Sequence, residues 1–256
     1  MKANGKALAM FCGQFLVAAP ACAFSVGDTW DWQLTEPVDL DRQVSVMDLH
    51  PDLVTPEDLA ALRQKGVRTI CYVSIGTLEK GSSDTGAFPD DVLGKTYEDW
   101  PDERFLDVRR LDILLPIMKA RFKACKDLGF DAVEPDNMDV HDNDSGFPIT
   151  ADDVVAYVAR LAAIAHSLDL AIGQKNVPEL TADLIEHMDF LIAESCYQDK
   201  WCADVSAYVR EDKPIFDAEY TDRPIDFPEA CKAAAQQNIA MILKDRDLTA
   251  PVEFCP

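Results

Sequence analysis

Residues 129–139 have the sequence GFDAVEPDNMD, in which an apolar run leads into a cluster of carboxyl and amide side chains. The run predicts a buried β-strand, and Glu134, Asp136, Asn137 and Asp139 follow one another closely at its end. Carboxyl groups are costly to gather at a strand end unless they bind a cation, hold a ligand or perform acid–base chemistry. The segment therefore predicts a functional site at the carboxyl end of a strand.

A second apolar run, MDFLIAE at residues 188–194, also ends in a carboxylate, Glu194. Side chains alternate along a strand, so Glu134 and Asp136 point to the same side. If Asp136 and Glu194 both project inward, they can face one sugar ring from opposite sides, as the two carboxyl groups of a glycosidase do. The structural alternative is that Asp136 caps a loop and Glu194 pairs with Lys175.

Apolar, β-branched runs alternate with helical patterns, which is typical of a parallel sheet covered by helices. The pattern predicts an α/β fold, a single-domain (β/α)₈ TIM-type barrel over residues 24–256; an open doubly wound sheet is the alternative, although no GxGxxG motif follows a strand. The predicted strands are Val44–Leu49, Arg68–Ser74, Arg104–Val108, Phe130–Asp136, Leu170–Gln174, Asp189–Glu194, Pro214–Glu219 and Ile239–Leu243. The predicted helices are Pro56–Gln64, Leu111–Leu128, Ala151–Leu168, Pro178–His187 and Phe227–Gln237.

The N-terminal segment predicts export. Lys2 and Lys6 flank the start of an apolar run, and Ala21-Cys22-Ala23 fits a cleavage site, so residues 1–23 are expected to be a signal peptide. A membrane anchor is the alternative, but the run is short for a span. Since no other segment is long and apolar enough, we expect no membrane span in the mature chain and a secreted or periplasmic location.

The cysteines support an oxidising location. Two of the eight lie within residues 1–23, and the remaining six suggest disulfides in an exported chain. The expected pairs are Cys196 with Cys202, Cys231 with Cys255 and Cys71 with Cys125. A zinc site is the alternative, but neither a CxxC pair nor a suitably spaced histidine accompanies them.

The formal net charge of −22 argues against nucleic acid and anionic lipid as partners. It favours a cationic partner, or only a solvated acidic surface.

The sequence resembles glycoside hydrolase family 114, the endo-α-1,4-polygalactosaminidases, from about Trp30 to Leu248. The resemblance is carried by DWQL at 31–34, ICYVSIG at 70–76, FLDVR at 105–109, residues 129–139, KN at 175–176, ESC at 194–196 and EY at 219–220. It implies a TIM-type barrel that cleaves a galactosamine-rich, cationic exopolysaccharide without a metal or other cofactor. Asp136 matches the family's nucleophile and Glu194 its acid/base, which implies a retaining mechanism.

The same resemblance and the chemistry of an amino sugar give a set of candidate substrate-binding residues. They are Trp32, Asp48, Tyr72, Ser74, Glu134, Asn137, Lys175, Asn176, Tyr197, Glu219 and Tyr220. Acidic members can bind an ammonium group, and aromatic members can stack on sugar faces. The alternatives are an internal ion-pair network and ordinary core packing.

Three other functions fit part of the pattern: a polysaccharide-binding protein without turnover, a hydrolase of another α-linked glycan, and a metal-dependent esterase or deacetylase that uses the Asp-rich segment. A monomer is expected.

Overall fold

The computed structural model describes residues 24–256, so the predicted signal peptide lies outside the described residues. The strands are β1 (Trp30–Gln33), β2 (Val46–Leu49), β3 (Arg68–Ser74), β4 (Thr77–Glu79), β5 (Leu93–Thr96), β6 (Glu103–Leu106), β7 (Ala132–Asp136), β8 (Ala171–Lys175), β9 (Phe190–Glu194), β10 (Ile215–Tyr220), β11 (Ile239–Lys244) and β12 (Glu253–Phe254). A curled sheet holds β1, β2, β3, β7, β8, β9, β10 and β11 as parallel neighbours in that order. The predicted TIM-type α/β fold is confirmed.

Helices follow most of these strands. They are α1 (Pro56–Gln64), α2 (Leu111–Leu128), α3 (Ala151–Ser167), α4 (Thr181–Leu184), α5 (Ala207–Arg210) and α6 (Phe227–Gln237). Thr55 and Thr150 cap α1 and α3 by capping boxes with Asp58 and Asp153, which explains why both helices begin where the sequence predicts. Within residues 24–256, no helix is both long and apolar enough to cross a membrane.

Two apolar layers hold the fold together. The smaller one fills the lower half of the barrel interior, meaning the half away from the carboxyl ends of the parallel strands. Its inward-facing residues include Trp30, Phe190, Phe216 and Ile242. The larger one lies between the outer face of the sheet and the helices. Because successive residues of each strand point alternately into the two layers, the parallel strands are buried on both faces.

The strands differ from the prediction in two ways: one predicted strand lies outside the barrel, and β1, β4, β5 and β12 were not predicted. The predicted strand Arg104–Val108 is observed as β6, but it lies outside the barrel, where it pairs antiparallel with β4 and β5. The barrel instead gains β1, whose sequence WDWQ carries two buried polar side chains and so lacks an apolar run. The segment between β3 and α2 therefore forms a wall beside the barrel mouth.

Side chains close the barrel between β1 and β11. The two residues of β12 pair antiparallel with the free edge of β11 at Ile242 and Leu243. Below them, Trp30 Nε1 donates to the Ala240 carbonyl oxygen over 2.8 Å. Above them, Lys244 Nζ lies 3.1 Å from Asp31 Oδ1, and both residues are fully buried. This ion pair links the first and last parallel strands without a backbone ladder.

All three predicted disulfides are present. Cys71–Cys125 joins β3 to α2, Cys196–Cys202 closes a short loop after β9, and Cys231–Cys255 ties the C-terminal tail to α6. The zinc alternative is wrong, because disulfide sulfurs are not thiolate ligands.

Candidate active site

The ammonium group of Lys175, at the end of β8, lies at the centre of the barrel mouth. Its Nζ atom is 2.9 Å from Glu134 Oε1, 2.7 Å from Asp136 Oδ1 and 3.1 Å from Glu194 Oε2. It also lies 4.6 Å from the centre of the Trp32 ring. Only 3% of the Lys175 side chain is exposed, so one buried cation is shared by three carboxyl groups.

The shared lysine limits the separation of the two carboxyl groups that face the cleft. Since one Nζ atom contacts both, Asp136 Oδ1 and Glu194 Oε2 cannot lie farther apart than the sum of the two distances, about 5.8 Å. Carboxyl groups about 5–5.5 Å apart are typical of retaining glycosidases, whereas inverting enzymes need about 6.5–9.5 Å. The bound applies to the two oxygens that face the lysine. It places both carboxyl groups within reach of one sugar ring and is compatible with the retaining spacing.

A tyrosine hydroxyl orients each of these carboxyl groups. Tyr72 on β3 donates to Asp136 Oδ2 over 3.0 Å, and Tyr220 on β10 donates to Glu194 Oε1 over 2.5 Å. Asn176 Nδ2 donates to Glu194 Oε2 over 3.0 Å, while the Glu194 backbone N–H donates to Asn176 Oδ1 over 2.9 Å. Every carboxyl oxygen of the pair thus has a partner.

The backbone turns sharply just after these strands. Asn137, Asn176 and Ser195 have φ values of 62°, 50° and 57°, in the left-handed region that side-chain-bearing residues rarely adopt. Gly76 allows the turn after β7, because a Cβ atom there would lie 1.9 Å from the Asn137 carbonyl oxygen. Such strain persists only where the surroundings enforce it, and it clusters at functional sites.

The charges of the centre shift its pKa values in opposite directions. Burial disfavours the ammonium form of Lys175, but the charges of Asp136, Glu134 and Glu194 outweigh it and raise the pKa of Lys175. Burial also favours neutral Glu194, but the Lys175 charge, aided by hydrogen bonds from Tyr220 and Asn176, lowers its pKa. The unliganded cleft therefore favours an ionised Glu194.

The cleft above this centre has a volume of about 830 Å³. Its acidic lining residues are Glu79, Asp99, Glu103, Asp136, Asp139, Glu194, Asp199 and Asp247, against the basic residues Lys175, Arg223 and Arg246. Arg223 pairs with Asp199, and Arg246 pairs with Asp222 while its guanidinium group packs 3.7 Å from the centre of the Tyr220 ring. The cleft suits a positively charged ligand.

Comparison with known proteins identifies the family. The model of glycoside-hydrolase family GH114 matches residues 15–256. The chain belongs to this family. It is therefore a glycoside hydrolase, and the resemblance seen in the sequence is confirmed.

Solved structures agree with the GH114 assignment. The chain is 29% identical to Ega3 of Aspergillus fumigatus, solved in complex with galactosamine; the match has a TM-score of 0.86 and covers 93% of this chain and 98% of Ega3. The glycoside hydrolase domain of PelA from Pseudomonas aeruginosa is 12% identical, with a TM-score of 0.69 over 89% of this chain and 99% of that domain. An α-galactosidase of Thermus thermophilus, TtGalA, is also 12% identical, with a TM-score of 0.57 over 88% of this chain and 58% of its own. Neither of the last two shows more than the fold. No curated protein gave a sequence match.

The GH114 chain brings most of the predicted site residues to the cleft. Those that line it are Trp32, Tyr72, Asn137, Lys175, Asn176 and Tyr220, together with Asp136 and Glu194. Asp48 and Glu134 are fully buried beneath it. Ser74 is also buried, and its Oγ accepts from Asn137 Nδ2 over 3.0 Å.

Two predicted site residues lie elsewhere. Glu219 precedes Tyr220 on β10, so its side chain leaves the strand on the opposite side from the barrel interior. It accepts the backbone N–H groups of Tyr197 (2.7 Å) and Gln198 (3.1 Å) and fixes the loop after β9. The cleft lining includes neither Glu219 nor Tyr197.

The sequence did not predict the wall formed by β4, β5 and β6. Glu79 on β4 and Glu103 on β6 are direct partners in this antiparallel ladder, and both line the cleft. Burial, aided by Glu103 and Asp136, raises the pKa of Glu79 to about 7, and burial also raises the pKa of Glu103. Trp100, 48% exposed, stands at the rim.

One group of possible metal ligands without a disulfide occurs among residues 24–256, formed by His141, Asp142 and Glu179. His141 Nε2 lies 3.1 Å from Glu179 Oε1. A histidine–carboxylate hydrogen bond accounts for this contact without an ion.

Proposed function

We propose that this protein is a retaining endo-glycosidase that hydrolyses α-1,4-linked, galactosamine-rich polysaccharide. The observation that carries the proposal is the convergence of Asp136 and Glu194 on one lysine, with the two oxygens at most about 5.8 Å apart. The likeness to Ega3, whose structure holds galactosamine, supports the choice of sugar.

The two carboxyl groups have different roles in the reaction. Asp136 attacks the anomeric carbon while Glu194 gives its proton to the leaving oxygen, so the glycosidic bond breaks as a glycosyl–aspartate bond forms. Glu194 then takes a proton from water, which attacks the same carbon and releases Asp136. Lys175 balances part of the negative charge of both carboxylates throughout.

The acidic wall supports a cationic substrate. Glu79 and Glu103 face each other across a ladder, where like charges are destabilising. Burial raises the pKa of Asp139, a third acidic residue of the cleft. The ammonium group of a galactosamine unit would relieve this repulsion and form charge-assisted hydrogen bonds. An uncharged or fully acetylated sugar would not.

Export belongs to the same proposal. The three disulfides are typical of a chain that folds in an oxidising compartment. Its polymeric substrate is also expected outside the cytoplasm. We further expect the mature chain to act as a monomer.

The test is hydrolysis of matched polymers by the mature enzyme. Deacetylated α-1,4-galactosamine polymer should be cut internally, fully acetylated polymer much more slowly, and an uncharged α-glucan not at all. NMR of the first product formed should show the α-anomer. Equal rates on all three polymers would refute the assigned substrate, and a β-anomer would refute retention.

A further inference from the structure

Two carboxyl groups lie buried directly beneath the catalytic pair. Asp48 on β2 and Glu134 on β7 are both 0% exposed, and neither lines the cleft. Glu134 Oε1 accepts from Lys175 Nζ over 2.9 Å. Glu134 is therefore the lowest of the three carboxyl groups around the lysine, and Asp48 lies next to it in the interior.

The remaining oxygens of these two groups have no ordinary donor. Among the described residues, neither an N–H nor a hydroxyl reaches Glu134 Oε2, Asp48 Oδ1 or Asp48 Oδ2. A buried carboxylate left without hydrogen bonds is strongly unfavourable. The Asp48 and Glu134 side chains are within hydrogen-bond reach of each other, and such a bond requires a proton on one of them.

The surrounding charges place that proton on Asp48. Glu134 has the Lys175 ammonium as partner, whereas no lysine or arginine among residues 24–256 forms an ion pair with Asp48. Burial, with the Glu134 charge next in importance, raises the pKa of Asp48 well above its ordinary value. Burial also raises the pKa of Glu134, but there the Lys175 charge opposes the rise. The other titratable or charged groups around the pair are Tyr72 on β3, Asp136 on β7, Lys175 on β8, Glu194 on β9, and His50 just after β2.

We propose that Asp48 is a positioning residue that acts as a neutral carboxylic acid, donating its proton to Glu134 and so fixing Glu134 beneath Lys175. Lys175, held from below, then keeps its ammonium group against both Asp136 and Glu194. This inference rests on the proposed function, since it assigns the support of the proposed catalytic pair.

The arrangement has a consequence for catalysis. With one shared proton, the pair carries a single negative charge. Loss of that proton leaves two carboxylates in a dry interior, which pull the lysine downward and away from the catalytic pair. Activity should therefore fall when the shared proton is lost, in addition to the fall that ionisation of Glu194 causes.

The experiment compares Asp48→Asn with Asp48→Leu in the mature enzyme. Asparagine keeps a neutral donor toward Glu134, whereas leucine has a similar size and offers none. We expect kcat to fall at least about tenfold more in Asp48→Leu than in Asp48→Asn, with little change in KM. In the wild type, the slope of log kcat/KM against pH should steepen from −1 to −2 where Asp48 loses its proton, well above the ordinary carboxyl range. In Asp48→Asn the slope should stay at −1.

Infrared spectroscopy tests the proton without any assay of turnover. The wild type minus Asp48→Asn difference spectrum at pH 6 should contain the carbonyl band of one protonated carboxylic acid. The subtraction removes the contribution of other buried acids such as Asp217, whose pKa burial also raises.

Absence of this band, or an inactive but folded Asp48→Asn variant, would overturn the assignment. So would an unchanged steepening in Asp48→Asn. If the proposed substrate were wrong, all variants would fail on it while the infrared band remained. The two proposals therefore fail in distinguishable ways.

Discussion

The lower and upper halves of the barrel interior are built from the same strands but have opposite chemistry. On β9 and β10, Phe190 and Phe216 face inward in the lower half, with ring centres 6.1 Å apart. Glu194 and Tyr220 face inward in the upper half and bond each other. A change of only four residues along one strand thus separates apolar packing from a charged centre. The comparison indicates that the lower half supplies stability and the upper half supplies chemistry.

Substitution of the proposed catalytic pair, Asp136 and Glu194, tests this comparison with the largest expected effect. Asp136→Asn and Glu194→Gln should each lower kcat at least about a thousandfold, because each removes a group that acts in the transition state. Neither should lower the free energy of unfolding by as much as a lower-half truncation does. Steady-state kinetics and chemical denaturation measure the two quantities. Near-native turnover in either variant would end the assignment.

The lower half should show the reverse behaviour. Phe216→Ala leaves a cavity among Trp30, Phe190 and Phe24 and should lower the free energy of unfolding by about 3–5 kcal/mol. Turnover per folded molecule, measured well below the unfolding temperature, should stay within about twofold of the wild type. A large loss of kcat in the folded variant would mean that the two halves are not separate.

The sequence predicted the parts of the site that follow long apolar strands. Asp136 and Glu194 were chosen as candidates because each ends such a strand, and the alternation of side chains placed Glu134 with Asp136. The same alternation could have excluded Glu219, since Glu219 and Tyr220 are consecutive and only one of them can face the interior.

The sequence could not predict features that depend on tertiary pairing. Strand β1 was missed because Asp31 and Gln33 are buried polar residues, satisfied by bonds to each other and to distant Lys244. Glu79 was missed because β4 has only three residues, and Glu103 was missed because it lies one residue before the predicted strand Arg104–Val108. Nothing local to either glutamate shows that the two are paired in one ladder beside the cleft.

Glu79 tests the comparison of the two barrel halves through the pH dependence of the free energy of unfolding. Its pKa in the folded state is about 7, above the ordinary 4.5. The folded protein therefore binds more protons than the unfolded chain between these values, and stability falls as the pH rises from about 4.5 to 7. Glu79→Gln should reduce that fall by about 1–2 kcal/mol, less than the full shift implies because water enters the cleft.

Denaturation of both proteins at several pH values measures this slope. Glu186→Gln, at an exposed position in the turn between α4 and β9, is the matched control and should leave the slope unchanged. If Glu79→Gln kept the wild-type slope, the charged upper half would not carry the expected stability cost at neutral pH.

The smallest effect concerns the hydroxyl that Tyr220 donates to Glu194. In the free enzyme Glu194 must be protonated to act as an acid, so kcat/KM should fall as the pH rises through its lowered pKa. Tyr220→Phe removes a hydrogen bond that stabilises the carboxylate. The pKa of Glu194 should rise, and the falling limb of kcat/KM should move to higher pH by about half a unit to one unit.

Tyr72→Phe is the control, because the Tyr72 hydroxyl donates to Asp136 and its loss should leave that limb in place. If the limb moved in Tyr72→Phe and not in Tyr220→Phe, the roles of the two carboxyl groups would be reversed. Asp136 would then be the acid/base and Glu194 the nucleophile.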